Sequence, residues 1–129
     1  MSNPIIPISW GELIDKITIL QIKLDQVTSS LARTNVKREL AELETVFGKC
    51  CPKSVDSELM ERELKAVNQQ LWNIEDEIRE KERKRSFDDE FIQLARSVYI
   101  KNDERARIKR KINEIFGSDL IEEKLYKPY

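Results

Sequence analysis

One stripe of side chains, spaced alternately four and three residues apart, runs through residues 86–116 and constrains the fold most strongly. Its members are Phe87, Phe91, Leu94, Val98, Lys101, Arg105, Ile108, Ile112 and Ile115. This spacing places all of them on one face of a long α-helix. Lys101 and Arg105 interrupt the otherwise apolar face at its middle. The segment therefore predicts a long helix with a polar break where a core is expected.

Two shorter helices are predicted before this segment. The first spans residues 9–27, because Ser9 begins a capping box and the apolar residues that follow keep helical spacing. These apolar residues are Trp10, Leu13, Ile17, Leu20, Leu24 and Val27. Hydroxyl side chains at residues 28–30 and a change in the phase of the stripe predict a break there. The second helix then spans residues 30–47, with Gly48 as its C-cap.

Two long helices are predicted to follow, over residues 57–84 and 87–116. The first of them carries its own apolar stripe, which consists of Met60, Leu64, Val67, Leu71, Ile74 and Ile78. Ser86 and Asp89 resemble a second capping box, so the second long helix should begin directly after the first one ends. The two long helices are therefore expected to form a hairpin with a very short turn.

The two ends of the chain lack a helical pattern. Pro4 and Pro7 favour an extended arm over residues 1–8, and the isoleucines of this arm lead us to expect that it packs against the helices. Residues 118–129 are predicted to form a short turn and a tail. The whole pattern predicts a single all-α domain over residues 1–129. We expect an antiparallel helical bundle in which two shorter helices pack along a hairpin of two long helices.

The composition restricts the chemistry and the setting of the protein. Charged residues make up 36% of the chain but the net charge is −1, so no global field attracts nucleic acid or a membrane surface. His is absent, which removes the commonest general base and metal ligand, and we expect no metal and no cofactor. The adjacent Cys50 and Cys51 are interpreted as free thiols. With no signal peptide and no membrane-spanning segment in the pattern, we expect a cytoplasmic protein that does not insert into membranes.

A group of polar side chains on the facing sides of the predicted hairpin is the candidate ligand site. Its members are Glu75, Arg96, Tyr99, Lys101, Asn102 and Arg105. In the functional interpretation, the cations hold a small anion between the helices, and Glu75 or Asp76 acts as an acid or a base. In the structural interpretation, these residues form interhelical ion pairs that fix the register of the bundle. Glu12, Asp15 and Lys16 of the first helix are further polar neighbours in both cases, and no catalytic residue is assigned.

Basic residues cluster in the second half of the last helix and again within residues 81–85. The first cluster consists of Arg105, Arg107, Lys109, Arg110 and Lys111. Such clusters can contact the phosphates of a nucleic acid. However, cations stabilise helix C-termini, Asp103 and Glu104 precede the first cluster at helical spacing, and no aromatic residues alternate with it to stack on bases. The pattern favours solvated helix faces over a nucleic-acid site.

Three segments carry a resemblance to known proteins. They are ISWGELIDKITILQIK at residues 8–23, LARSVYIKNDERARIKRKIN at residues 94–113, and the closing GSDLIEEKLYKPY. In these segments the chain resembles an uncharacterised bacterial and phage family of small all-helical proteins. The resemblance implies an all-helical fold, a cytoplasmic location and a link with surface-polysaccharide biosynthesis. No established activity and no catalytic residues are carried over from it.

We expect from these features a non-enzymatic helical module that binds a partner protein or forms a homodimer through exposed helix faces. The alternative is a binding site or enzyme for a small anionic metabolite at the polar group described above. A second alternative is weak binding of nucleic acid through its phosphate backbone.

Overall fold

The computed structural model describes residues 2–129, which form four α-helices and no strand. The helices are α1 (Trp10–Gln26), α2 (Ser30–Cys50), α3 (Glu58–Arg83) and α4 (Asp89–Phe116). The prediction of an all-α helical bundle is confirmed. No helix among the described residues is both long enough and apolar enough to cross a bilayer.

The ends of α1 and α2 follow local sequence signals with one exception. As predicted, the Ser9 hydroxyl accepts a hydrogen bond from the Glu12 N–H at 3.2 Å and caps α1. Gly48, the predicted C-cap of α2, instead lies inside that helix, which continues to a C-cap at Cys51. Phe47 and Cys51 both pack against the core of the bundle, and this tertiary contact stabilises the last turn of α2 in spite of the glycine.

The turn between α3 and α4 contains a residue in the left-handed backbone region. Arg85 has a φ of 54°, and the N–H of the next residue, Ser86, donates to the Lys81 carbonyl at 2.9 Å. This is the hydrogen bond of a Schellman motif, so Ser86 completes the end of α3. The prediction that Ser86 begins α4 is therefore wrong. Asp88 caps α4 instead, by accepting a hydrogen bond from the Phe91 N–H at 3.0 Å.

α1 lies at the centre of the bundle. Its backbone approaches those of α2, α3 and α4, whereas α2 approaches α1 alone among the helices of residues 2–129. α3 and α4 pack against each other as the predicted hairpin, and α1 lies along it. The second short helix, α2, packs on α1.

Two apolar clusters flank α1. One joins α1 to the hairpin and consists of Ile14, Met60, Leu64, Val67, Ile108, Ile112 and Phe116. The other joins α1 to α2 and consists of Leu13, Ile17, Leu20 and Leu40. The Trp10 ring packs against both clusters and stacks on Phe116, with 4.6 Å between the ring centroids. Trp10 therefore links the two halves of the core.

The two ends of the chain differ from the prediction in different ways. Residues 2–8 contain no helix, as predicted for the arm, but Ile5 and Ile6 are exposed and only Ile8 packs against the core. Of the three isoleucines on which the expected packing of the arm rests, two therefore remain in contact with solvent. At the other end, Gly117 ends α4 with a φ of 67°, and residues 118–129 form no helical turn.

The outer part of the α3–α4 hairpin, residues 69–107, is the least covered part of the two long helices, and we call it the distal hairpin. None of its residues is buried. Its half-buried apolar side chains include Leu71, Ile74, Ile78, Phe91, Leu94 and Val98. Its exposed apolar and aromatic side chains are Phe87, Ile92, Tyr99 and Ile100. The helices α1 and α2 thus leave a large apolar part of the hairpin in contact with solvent.

Candidate functional site

A buried carboxylate, Asp15, lies where α1, α3 and α4 meet. Its side chain is only 1% exposed. Asn68 on α3 donates from one amide nitrogen to Asp15 Oδ1 and to Thr18 Oγ1, both at 2.9 Å. The Thr18 hydroxyl in turn donates to the Asp15 carbonyl oxygen at 2.9 Å. A carboxylate buried this deeply is stable only when its charge is compensated.

Arg105 on α4 provides this compensation. Its Nε donates to Asp15 Oδ1 at 2.9 Å and a terminal nitrogen donates to Asp15 Oδ2, so the two side chains form a bidentate pair. These hydrogen bonds raise the pKa of Arg105 above its usual value, in spite of the burial that lowers it. Arg105 is one of the two cations that break the apolar stripe of α4. The break therefore serves to bind a charge on the neighbouring helix.

The contacts around Asp15 form a polar network, and Lys109, one turn further along α4, extends it. Its side chain is 9% exposed, and its Nζ lies 2.9 Å from a Glu12 oxygen, 2.8 Å from a Glu122 oxygen and 3.9 Å from Asp15. Burial lowers the pKa of Lys109, but the hydrogen bonds to Glu122 and Glu12 outweigh it and raise the pKa above its usual value. Lys109 is therefore charged and joins α1, α4 and the C-terminal segment, residues 119–129.

The first turn of α1 is held by polar side chains from the end of α4. The Gly11 N–H donates to Asn113 Oδ1 at 2.7 Å, and the Trp10 N–H donates to the Ser118 hydroxyl at 3.0 Å. Both N–H groups belong to a helix N-terminus and have no partner within α1. A Cβ atom at Gly11 would lie 2.6 Å from the Lys109 carbonyl oxygen, so only glycine allows this close approach.

The network leaves no buried polar atom without a partner. Every buried side-chain nitrogen or oxygen within residues 2–129 makes a hydrogen bond. A fully paired network fixes the relative positions of the helices. Nor does any group of three or more carboxylate or thiol side chains within the same residues have the arrangement of a metal site.

A cavity of about 550 Å³ lies beside the network, between α4 and the C-terminal segment. Its floor is a face of α4 that includes Tyr99, Asn102 and Arg105, and Glu12 of α1 lines one wall. Glu122, Lys124 and Tyr126 line it from the C-terminal segment. The Tyr129 hydroxyl, from the end of that segment, donates to an Asp103 carboxylate oxygen at 2.8 Å.

Three of the predicted ligand residues, Tyr99, Asn102 and Arg105, line this cavity together. The other three lie elsewhere. Lys101 pairs with Glu104 at 3.1 Å on its own helix, Glu75 pairs with Arg79 at 2.7 Å on an exposed face, and Arg96 is exposed. Asp76, the other suggested acid, is also exposed.

Several residues of the network were not among the predicted ligand residues, and a sequence signal exists for some of them. Lys101, Arg105, Lys109 and Asn113 are spaced four residues apart and form one polar stripe along α4. Glu12, Asp15 and Thr18 form a matching stripe on α1 at steps of three. Glu122 lies in an irregular segment, where periodicity gives no signal.

The comparisons with known proteins identify only the family of this chain. No curated protein and no solved structure matches the chain. A family of unknown function, DUF6165, matches residues 5–128. Because this match spans nearly the whole chain, the protein belongs to the DUF6165 family of unknown function.

Proposed function

We propose that this protein is a non-enzymatic self-association module that forms a homodimer through the distal hairpin. The observation that carries the proposal is the burial pattern of the two long helices. All their buried residues lie outside residues 69–107, although the apolar stripes of both helices continue through this range. Apolar helix faces of this kind are stabilised when a partner covers them.

The charges of the distal hairpin support a second copy as that partner. From the tip inward, α3 carries a mainly basic segment at residues 81–85 and then three consecutive acids at residues 75–77. α4 has the opposite order, with three consecutive acids at residues 88–90 and then the cation Arg96. If α3 of one copy lies beside α4 of the other with both tips at the same end, the acids at residues 75–77 meet Arg96 of the second copy. At the tip itself, Lys81 already pairs with Asp88 and Glu90 of its own hairpin.

The register of α3 against α4 determines which of their residues lie at the same distance from the hairpin tip. Asn68 and Arg105 both bind Asp15, so they lie at the same level of α3 and α4. Glu77 and Arg96 are each nine residues closer to the tip, and therefore also lie at one level. Both are exposed and make no ion pair within residues 2–129, which leaves them available to a second copy.

The size of the surface indicates the strength of the dimer. The distal hairpin is two helices wide and roughly 25 Å long, so each copy would bury on the order of 500 Å². Interfaces of this size lie at the low end of the specific range, and a dimer that dissociates on dilution is therefore expected. We further propose a reducing, cytoplasmic setting, which is supported by the free thiols of Cys50 and Cys51.

Sedimentation equilibrium over a wide range of protein concentrations tests the proposal. The wild-type chain should show a reversible monomer–dimer equilibrium. Replacing both Ile92 and Ile100 by Glu should weaken it by at least about tenfold, because charges would then be buried in the interface. Both isoleucines are already exposed, so the monomer should remain folded, as circular dichroism would show.

Ile115→Glu is the matched control. Ile115 is 54% exposed and Ile92 is 50% exposed, and both lie on α4, but Ile115 is outside the distal hairpin. This control should dimerise like the wild type. A wild-type chain that stays monomeric at all concentrations, or a control that loses the dimer as completely as the double variant, would contradict the proposal.

A further inference from the structure

The C-terminal segment, residues 119–129, is held on the bundle through its side chains. Glu122 binds Lys109 at 2.8 Å, Glu123 lies 3.5 Å from Arg110, and the Tyr129 hydroxyl reaches Asp103. Among the described residues, no backbone group of this segment hydrogen-bonds to the bundle. Its position on α4 therefore depends on a few ion pairs and on aromatic contact with Tyr99.

The Glu122 carboxylate lies between two ammonium groups. One oxygen is 2.8 Å from Lys109 Nζ and the other is 2.8 Å from Lys124 Nζ. The hydrogen bond from Lys109 is the main reason that the pKa of Glu122 is lowered to about 2. Lys109 is nine-tenths buried, and so this pair of cations forms a built anion site that the protein fills with its own side chain.

Open space lies on both sides of this carboxylate. The larger cavity, of about 550 Å³, and a smaller one of about 170 Å³ share Lys109, Glu122 and Lys124 in their walls. The larger is also lined by Arg105, and the smaller by Arg107 and Arg110. A ligand whose anionic group replaced the Glu122 carboxylate would have room for its remaining atoms, with the exposed Arg107 within reach. Arg105 and Arg110 already pair with Asp15 and Glu123.

The Glu122 side chain can make way for such a ligand. It is 41% exposed and belongs to an irregular segment, so it can turn into solvent without moving a helix. Glu12 and Asp15, the other acids near Lys109, lie on α1 and remain in place. They prevent Lys109 from losing all of its compensating charge when Glu122 leaves.

We propose that Lys109 and Lys124 bind a small polyanion that carries carboxylate or phosphate groups, and that Glu122 is a built-in competitor for this site. The proposal does not rest on dimerisation, because Lys109, Glu122 and Lys124 lie outside the distal hairpin, although the larger cavity extends over residues 98–106 of it. Its ligand class follows from the carboxylate that occupies the site and from the two ammonium groups that hold it.

Isothermal titration calorimetry with tripolyphosphate and with citrate, at low salt, tests this site. Glu122→Gln keeps the shape of the side chain and removes its charge, so it should bind at least one probe about tenfold more tightly than the wild type. Combining it with Lys124→Gln should remove most of that gain. Lys124 is exposed, so its replacement should leave the fold intact. The better of the two probes identifies the preferred anionic group.

Glu44→Gln is the charge-matched control. Glu44 is exposed on α2, away from both cavities, and its replacement changes the net charge by the same amount. It should bind both probes as the wild type does. The proposal is overturned if Glu122→Gln gains no affinity for either probe, if Glu44→Gln gains as much, or if the gain is unaffected by Lys124→Gln.

Discussion

Arg105 on α4 binds Asp15 on α1 with two hydrogen bonds across ninety positions of sequence. The pair explains why a long apolar stripe contains a cation at its middle. It also explains how three helices share one register, because Asn68 of α3 binds the same carboxylate. Buried pairs of this kind are costly to break and contribute little when both partners are replaced together.

We predict that Asp15→Asn lowers the free energy of unfolding by about 3 kcal/mol, since the variant leaves Arg105 without its partner in a largely buried place. Arg105→Gln should cost a similar amount, and the double variant should lose about 1–3 kcal/mol less than the sum of the two. Urea unfolding measures all three values. Glu75→Gln, which breaks an exposed pair with Arg79, is the control and should change stability by less than about 0.5 kcal/mol. A loss below about 1 kcal/mol for Asp15→Asn would show that the buried pair does not hold the helices together.

Two glycines in helices should respond in opposite directions to alanine. Gly11→Ala should destabilise the protein by about 2 kcal/mol, because its Cβ would lie 2.6 Å from the backbone oxygen of Lys109. Gly48→Ala meets no atom within 4 Å and should stabilise α2 by roughly 0.5–1 kcal/mol through helix propensity. Thermal unfolding of both variants provides the comparison. Equal gains from the two substitutions would mean that α1 and α4 are not in close contact at Gly11.

Replacing one residue of the hairpin turn by glycine should stabilise the protein. Arg85 has a left-handed backbone conformation that favours glycine, so Arg85→Gly should stabilise the protein by about 1 kcal/mol. Arg83→Gly, two residues earlier in the last turn of α3, should instead destabilise it by a similar amount, because glycine is a poor helix former. Urea unfolding distinguishes the two. If Arg85→Gly were destabilising, the Schellman turn at this position would be wrong.

The ion pair of Glu122 should make stability depend on pH in a defined window. The pKa of this carboxyl is lowered from 4.5 to about 2 in the folded chain. Its contribution to the free energy of unfolding is therefore fully present above pH 4.5 and is lost as the pH falls toward 2. The difference in melting temperature between the wild type and Glu122→Gln should therefore be constant near neutral pH and shrink below pH 4.5. Differential scanning calorimetry from pH 7 to about pH 2.5 covers the window. A difference that stays constant or grows on acidification would rule out the pairing with Lys109.

Periodicity and caps in the sequence predict most of the fold. The apolar stripes predict four helices, and Ser9 predicts the start of α1 because its cap depends only on neighbouring residues. Gly48 and Ser86 show where local signals fail. α2 continues through Gly48 because Phe47 and Cys51 have partners in the core. Ser86 does not begin α4, because its N–H donates to a carbonyl group of the last turns of α3.

The candidate site was less predictable, for a physical reason. Helical spacing shows which residues share a face but not which face of another helix they meet. Asp15 and Arg105 could each be placed on a polar stripe, yet their contact depends on how α1 lies on the hairpin. The sequence predicts that Glu75 faces α4, but in the structure it binds Arg79, one turn away on its own helix.

Pairing of two distal hairpins is tested most directly by cross-linking between two different single-cysteine chains. Both chains carry serine at Cys50 and Cys51, one also carries Glu77→Cys, and the other carries Arg96→Cys. If the two hairpin tips lie side by side, with α3 of one copy beside α4 of the other, a short bismaleimide should cross-link the Glu77→Cys chain to the Arg96→Cys chain. This reaction should be faster than the cross-linking of either chain to a second copy of itself. Chains with Glu44→Cys on α2, mixed with the Arg96→Cys chain, provide the background rate. Mixed coupling no faster than this background would contradict the proposed homodimer.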